Sequence, residues 1–316
     1  MLFPDLRARS EPDRVAFVPC PVAERHGPLS VLTLPEALVE QRHNAAKKVD
    51  ATSRPLAYLV QAMLAGSFIG IAVVLMVTAA GPLRAAGSPL APLVQGLVFG
   101  VALTLVVAAG GELATSNMMT LTQGALGGAT TWPRAGGTLL FSFFGNMAGA
   151  FVFAAMVHFS GVTAPSTPAG VMVASLLEHK AEETVGQLFW RGVLCNMLVC
   201  LAIWAGVRLR SETARLIVIF WCLLAFITSG FEHVIANMTT FALGLIGGLP
   251  ETSWAEFGRN MTVVGLGNTV GGALFVGIAF AVASGRVPRE GKDDAPATAA
   301  PAQVVTQPAP AEVSAS

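Results

Sequence analysis

Long apolar stretches separated by short polar connections form the main pattern of the chain. A helix that crosses a bilayer needs about 20 apolar residues, and six stretches reach that length. We predict the spanning segments at residues 57–79, 92–126, 135–159, 188–207, 215–246 and 261–284. The predicted fold class is therefore an all-α membrane protein with six transmembrane helices.

The second and fifth stretches are too long for one crossing, and polar residues interrupt both near the middle. When Glu112 is aligned with Glu232, three further pairs coincide: Asn117 with Asn237, Met118 with Met238 and Thr120 with Thr240. A second patch matches at nearly the same offset, because Gly145-Asn146 resembles Gly267-Asn268. The chain is therefore predicted to contain an internal repeat whose second and fifth helices are broken.

Each predicted half makes three crossings, so the second half enters the membrane from the opposite side. Inverted repeats of this kind build substrate sites near the bilayer midplane from discontinuous helices. Broken backbone at that depth must be satisfied by protein groups or by a watery cavity. Four residues are predicted to stabilise the breaks: Glu112, Glu232, Asn117 and Asn237. His233 has no counterpart, since Leu113 holds its place in the first half, which favours a role for His233 in a pore.

Composition agrees with a lipid environment. Only 12% of the residues are charged, 53% are hydrophobic, and the mean hydropathy is +0.64, whereas soluble domains carry about 25% charged residues. The net charge of zero gives no support for nucleic-acid binding. The four cysteines form no ligand-spaced cluster, so neither a metal nor another cofactor is expected.

Four regions follow from these patterns. Residues 1–33 are predicted to be a flexible cytoplasmic extension, and residues 34–55 an amphipathic interfacial helix with its linker. Residues 56–285 form the transmembrane domain, and residues 286–316 a disordered cytoplasmic tail. Lysine and arginine concentrate in the connections on the side of the termini. Both termini are therefore predicted to be cytoplasmic, in a multi-pass protein of the inner or plasma membrane.

Three segments resemble the formate/nitrite transporter family. The most specific is GVLCNMLVCLA at residues 192–202, which matches the family's fourth-helix signature, and FEHVIANM at 231–238 and GELATS at 111–116 resemble its two helix breaks. The resemblance covers roughly residues 34–285. It implies a homopentamer of aquaporin-like protomers in the lipid bilayer, with one solute path through each subunit.

The resemblance also implies residue roles. His233 matches the central pore histidine, and Thr115 the loop threonine that faces it. Lys180 matches a loop lysine that draws anions inward, and Asn196 a pore-lining asparagine. An outer and an inner hydrophobic slit are implied, one on each side of the histidine. Phe99 and Val199 match positions in the outer slit, and Leu103, Leu113 and Phe226 match positions in the inner slit. Ala114 departs from the family, which usually has a bulky outer-slit residue there, so we expect either a wider slit or a neighbouring side chain that fills the space.

The predicted function is a transporter or channel for small monovalent weak-acid anions such as formate or nitrite, coupled to protons through the pore histidine. A neutral-solute channel for water, glycerol or ammonia remains an alternative, although the breaks lack paired Asn-Pro-Ala triplets. A membrane-embedded enzyme or sensor would need a metal constellation, a nucleophile with its base, or an appended domain. The sequence displays none of these, so no enzymatic activity is expected. The choice of anion and the direction of transport stay open.

Overall fold

A computed structural model describes residues 31–250 and 252–285. Within these ranges all regular structure is helical and there is no β-strand, which confirms the predicted all-α class. The predictions for the N-terminal extension before residue 31 and for the tail from residue 286 concern residues outside the described ranges.

The described residues form twelve α-helices and one π-helical segment. In chain order they are α1 (Leu34–Ala51), α2 (Pro55–Ala85), α3 (Ala91–Phe99), α4 (Val101–Ala109), α5 (Ala114–Leu126), α6 (Trp132–Ser160), α7 (Pro168–Glu182), α8 (Val185–Arg208), α9 (Glu212–Thr228), α10 (Val234–Gly247), α11 (Trp254–Val270), the π-helical segment (Gly271–Ile278) and α12 (Ala279–Ala283).

Five helical stretches in the described part of the chain are long and apolar enough to cross a membrane: Pro55–Ala85, Ala91–Ala109, Trp132–Ser160, Val185–Arg208 and Trp254–Ala283. The predicted span at residues 215–246 is not among them. It consists of α9, with 17 residues, and α10, with 14, each shorter than a complete crossing.

Short non-helical segments, called breaks below, divide both interrupted stretches into two helical parts each. The first break, residues 110–113, separates α4 from α5, and the second break, residues 229–233, separates α9 from α10. Each contains a glycine with left-handed backbone, Gly110 at φ 84° and Gly230 at φ 71°. Residues with a Cβ rarely adopt these angles, so the glycines allow the chain to leave one helix and start the next.

Small residues let the long helices approach closely. A methyl group added to Gly149 in α6 would overlap the carbonyl oxygen of Met63 in α2, and one on Gly271 would overlap that of Val193 in α8. Close backbone contact is the usual way in which membrane helices associate, since lipid provides no hydrophobic drive between them. These contacts hold α2 against α6 and the π-helical segment against α8.

We expect Gly149→Ala to lower the thermal unfolding midpoint of the detergent-solubilised protein by several degrees, because the added methyl group would force α2 and α6 apart. Gly137→Ala in the same helix is the control, since nothing lies within 4 Å of its added methyl group. Tryptophan fluorescence during heating measures both. Equal midpoints for the two variants would contradict this view of the α2–α6 contact.

Two shorter helices cover the ends of the long ones. Helix α1 lies within residues 34–55, where a helix was predicted, and its buried residues include Leu38 and Ala45. Its position at the membrane interface stays a prediction. Helix α7 was not predicted, and it places Lys180 in its last turn, so the expectation that this lysine lies in a loop is wrong. The Thr167 side chain caps α7 by accepting from the Gly170 N–H at 3.0 Å, and the helix buries Met172, Val173 and Leu177.

Candidate functional site

The two breaks bring His233 and Thr115 together. His233 is the N-cap of α10, and its Nδ1 accepts a hydrogen bond from the Ala236 N–H at 3.2 Å. Its Nε2 lies 3.0 Å from the Thr115 hydroxyl in the first turn of α5, and the histidine is only 3% exposed. Because Nδ1 accepts a bond, a neutral ring carries its proton on Nε2 and directs it toward Thr115. The positive ends of two short helices therefore converge at one imidazole.

An asparagine from a neighbouring helix holds each break in the same way. At the first break, Asn146 donates to the carbonyl oxygens of Ala62 and Glu112, both at 2.8 Å, and accepts from the Ala114 N–H at 2.9 Å. At the second, Asn268 donates to the carbonyls of Gly192 and Glu232, and accepts from the Val234 N–H. These bonds satisfy backbone groups that the missing helical turns leave free.

The two glutamates predicted at the breaks each pair with a lysine. Lys48 in α1 lies 2.8 Å from both carboxylate oxygens of Glu112, and Lys180 lies 2.6 and 2.7 Å from those of Glu232. Asn117 donates to Glu112 at 3.3 Å, and Asn237 donates to Glu232 at 2.6 Å. At each break the glutamate therefore binds both an asparagine and a lysine, and the Glu–Lys ion pair is buried or partly buried.

Three residues of this arrangement were not among the predicted site residues: Lys48, Asn146 and Asn268. The two asparagines carried a signal, because both follow glycine in the second patch of the repeat. Lys48 carried no comparable signal. It lies 64 residues before Glu112, whereas Lys180 lies 52 residues before Glu232, so repeat alignment does not superimpose the lysines.

A charged cluster surrounds Lys180. Arg191 bonds to Glu183, whose carboxylate also lies 3.4 Å from His179 Nε2. Burial raises the pKa of the Glu183 carboxyl, and the neighbouring Glu232 raises it further, while Lys180, Arg191 and His179 oppose this shift. Arg259 donates to the carbonyl oxygens of Lys180 and Glu183, at 2.9 Å each, and so fixes the end of α7.

A cavity of about 390 Å³ connects this cluster with the imidazole. Its lining includes Lys180, Glu232 and Arg191 at one part and His233 at another. Thr240 and Asn237 of α10 also line it. The cavity is large enough for a small solute with several waters, and both charged and apolar residues line it.

Two aromatic rings stand beside the imidazole in this cavity. The rings of Phe99 and Phe226 are 5.8 Å apart in an edge-to-face arrangement, and Phe226 lies 6.0 Å from the His233 ring. Both phenylalanines line the cavity. Phe99 and Phe226 line one cavity, and their division between an outer and an inner slit stays a prediction.

The other predicted slit residues are buried but are not part of the cavity lining. Val199 is 2% exposed, Leu103 is 2%, Leu113 is 1%, and Ala114 is 0%. The backbone N–H of Ala114 is engaged by Asn146, at the start of α5. Ala114 is therefore a buried residue at the first break, and its effect on the outer slit stays a prediction.

Asn196 bridges the two halves of the site. Its amide donates to the carbonyl oxygens of Thr115, at 3.1 Å, and Asn268, at 2.7 Å. The Cys200 thiol donates to the same Thr115 carbonyl at 3.4 Å. Gly272 in the π-helical segment leaves room for the amide, since a Cβ there would lie 2.6 Å from Asn196 Nδ2. In this structure Asn196 satisfies backbone carbonyls beside the cavity and does not line it.

These features define a multi-pass membrane protein of the transport class: apolar helices surround a polar centre, and a cavity leads into it. The chain matches the formate/nitrite transporter family over residues 35–282. It is 40% identical to the nitrite transporter NirC of Escherichia coli K12 over 231 residues, which is 73% of this chain and 84% of NirC. The chain belongs to the formate/nitrite transporter family, as its signature segments indicated.

Two solved structures share the fold. An FNT family ion channel superimposes with a TM-score of 0.74 at 37% identity, covering 78% of this chain and 98% of that one. A pentameric formate channel with formate bound gives a TM-score of 0.62 at 30% identity, covering 74% of this chain and 98% of that one. The similarity therefore extends over the whole helical part of the channels.

Proposed function

We propose that this protein transports small monovalent weak-acid anions, of the formate and nitrite kind, together with protons. The observation that carries the proposal is the cavity that leads from a cationic cluster to a buried imidazole at the meeting point of two helix N-termini. Relatives named for nitrite and formate support this class of solute. The chain is proposed to act by binding and passage, without enzymatic chemistry.

Entry is favoured by charge and limited by an apolar constriction. Among the residues that line the cavity, cations outnumber carboxylates, and this excess of positive charge raises the local concentration of anions. The Phe99–Phe226 pair, which stands beside His233, then separates the solute from bulk water. A bare anion between two phenyl rings loses hydration that the rings cannot replace, whereas its neutral acid loses far less. The constriction therefore favours passage of the acid form.

His233 would supply the proton at this point. In the neutral ring, Nε2–H can donate a hydrogen bond to the anion in place of Thr115. Complete proton transfer requires a doubly protonated ring, whose Nδ1–H can no longer accept from the Ala236 N–H. The protonated state is therefore short-lived and depends on external pH. Transport is expected to rise as the external pH falls.

The second half of the path follows by inverted symmetry. Lys48, Glu112 and Asn117 repeat the bonding pattern of Lys180, Glu232 and Asn237. We propose six crossings, with α9 and α10 together forming the fifth, in two inverted repeats of an aquaporin-like protomer. Lysine and arginine placement supports an orientation with both termini in the cytoplasm and the cavity on the outside.

A homopentamer in the lipid bilayer is the proposed assembly. Large apolar side chains are exposed on the outer faces of the helices, among them Phe144 at 55% and Trp221 at 61%. In a bilayer these side chains would contact lipid or a neighbouring subunit. The pentameric formate channel of the same fold supports five copies.

A panel of solutes separates anion transport from the neutral-solute channel. Purified full-length protein in proteoliposomes is expected to take up formate and nitrite much faster than protein-free vesicles in stopped-flow measurements. Glycerol swelling is expected to equal that of protein-free vesicles, because the cationic cavity offers glycerol no charge attraction. Rapid glycerol flux without anion flux would replace this proposal by the neutral-solute alternative.

A further inference from the structure

Most cations around the cavity are neutralised by a carboxylate. Lys180 donates to both oxygens of Glu232, at 2.6 and 2.7 Å. Arg191 bonds to Glu183 beside the cavity. A cation paired this closely exerts a weak field on a solute farther away, since the carboxylate's opposite field nearly cancels it. These two pairs alone therefore give the cavity little net attraction for an anion.

Arg84 is the exception in the lining. It lies in the last turn of α2, is exposed, and its Nη2 donates to the Ser175 hydroxyl of α7 at 3.1 Å. Both residues line the cavity. Among the described residues Arg84 has no ion pair. Its charge is therefore available to a solute at the opening of the cavity.

The bond with Ser175 gives this arginine a defined position. A cation in the last turn of a helix interacts favourably with the helix dipole in any side-chain rotamer. The bond to Ser175 is therefore not needed for that interaction. The Ser175 hydroxyl holds the guanidinium against α7, the same helix that carries Lys180 in its last turn. A guanidinium also keeps donors free after one bond, and its planar fork suits carboxylate and nitrite oxygens.

We propose that Arg84 is the first anion-binding group of the transport path, held by Ser175 at the opening of the cavity, where it captures the solute before Lys180. This inference rests on the proposed function, because it assigns the capture step of that transport. Binding at Arg84 should determine the half-saturating solute concentration of uptake. The constriction at Phe99, Phe226 and His233 should determine the maximal rate.

Initial rates of formate uptake into right-side-out membrane vesicles test the assignment, with all copies in one orientation. At about 10 mM ionic strength the Debye length is about 30 Å, and Arg84→Gln should raise the half-saturating formate concentration about tenfold with an unchanged maximal rate. Arg84→Lys should remain within about twofold of wild type, and Ser175→Ala should give a smaller increase of about two- to threefold. At about 1 M of an impermeant salt the Debye length is about 3 Å, and the difference in half-saturating concentration between Arg84→Gln and wild type should nearly vanish.

Arg134→Gln is the matched control, since it removes the same charge from an arginine that pairs with Asp50 away from the cavity. Its uptake should equal that of wild type. The inference is overturned if Arg84→Gln matches wild type at low salt, if its loss is independent of salt, or if lysine does not restore it. Failure of the proposed function is a separate result: wild-type vesicles would then take up no more formate than vesicles without the protein.

Discussion

Replacing His233 by alanine is expected to reduce acid-stimulated anion uptake about 10²-fold, which is the lower end of what a positioned proton donor contributes. The imidazole is the titratable group at the meeting point of α5 and α10, 3.0 Å from Thr115. Without it an anion at the Phe99–Phe226 pair finds no proton. Wild type and variant are compared by formate uptake into proteoliposomes between about pH 5 and about pH 8. This range extends to both sides of the reference pKa of histidine.

The alanine variant also removes the cap of α10, so a second variant separates transport from folding. Asparagine is among the best N-cap residues and does not titrate. His233→Asn should therefore keep a thermal midpoint close to that of wild type while losing the rise of uptake at low pH. His158→Ala serves as the control, because that histidine is exposed and lies outside the cavity lining. Equal acid-stimulated flux in wild type and His233→Asn would reject proton transfer by this residue.

The internal repeat made the centre of the site predictable. Glutamate and asparagine recur at both breaks at fixed spacing. His233 has no such counterpart, because Leu113 occupies the aligned position. Such a signal survives in sequence because broken backbone at membrane depth needs polar partners, which are rare in apolar segments. The structure places these residues beside the two breaks, with His233 next to Thr115.

The surroundings of the site were less accessible to sequence reasoning. Helix α7 has mixed polarity and no long apolar run, so its periodicity resembles that of a connecting segment. The Lys48–Glu112 pair joins residues 64 positions apart, and only the packing of α1 on α5 brings them together. Contacts that depend on tertiary packing were therefore the ones that sequence reasoning missed.

Replacing Lys180 by methionine is expected to impair stability and transport together. The Glu232 side chain is 6% exposed and would lose its lysine partner, and removal of one member of a buried ion pair typically costs about 3–5 kcal/mol of folding free energy. The cavity would also hold an uncompensated negative charge close to the path of an anion. We expect a lower thermal midpoint in detergent and formate uptake close to that of protein-free vesicles.

The double variant Lys180→Met/Glu232→Gln distinguishes the two effects. Glutamine keeps an acceptor for Asn237, which now donates to Glu232 at 2.6 Å, and removes the buried charge. The midpoint should therefore recover most of the loss, because replacing both members of a buried pair is often nearly neutral. Uptake should recover only in part, since an anion inside the cavity no longer meets the Lys180 ammonium as a hydrogen-bond donor.

The pair Lys48–Glu112 provides the internal comparison for this prediction. Its side chains are 21% and 17% exposed, against 11% and 6% for Lys180–Glu232. Water screens the more exposed pair better, so Lys48→Met should lower the midpoint less than Lys180→Met. If the two single variants lose equal stability, burial of the Glu232 carboxylate does not control the effect. If the double variant stays as unstable as Lys180→Met, the loss comes from packing of the lysine chain and not from its charge.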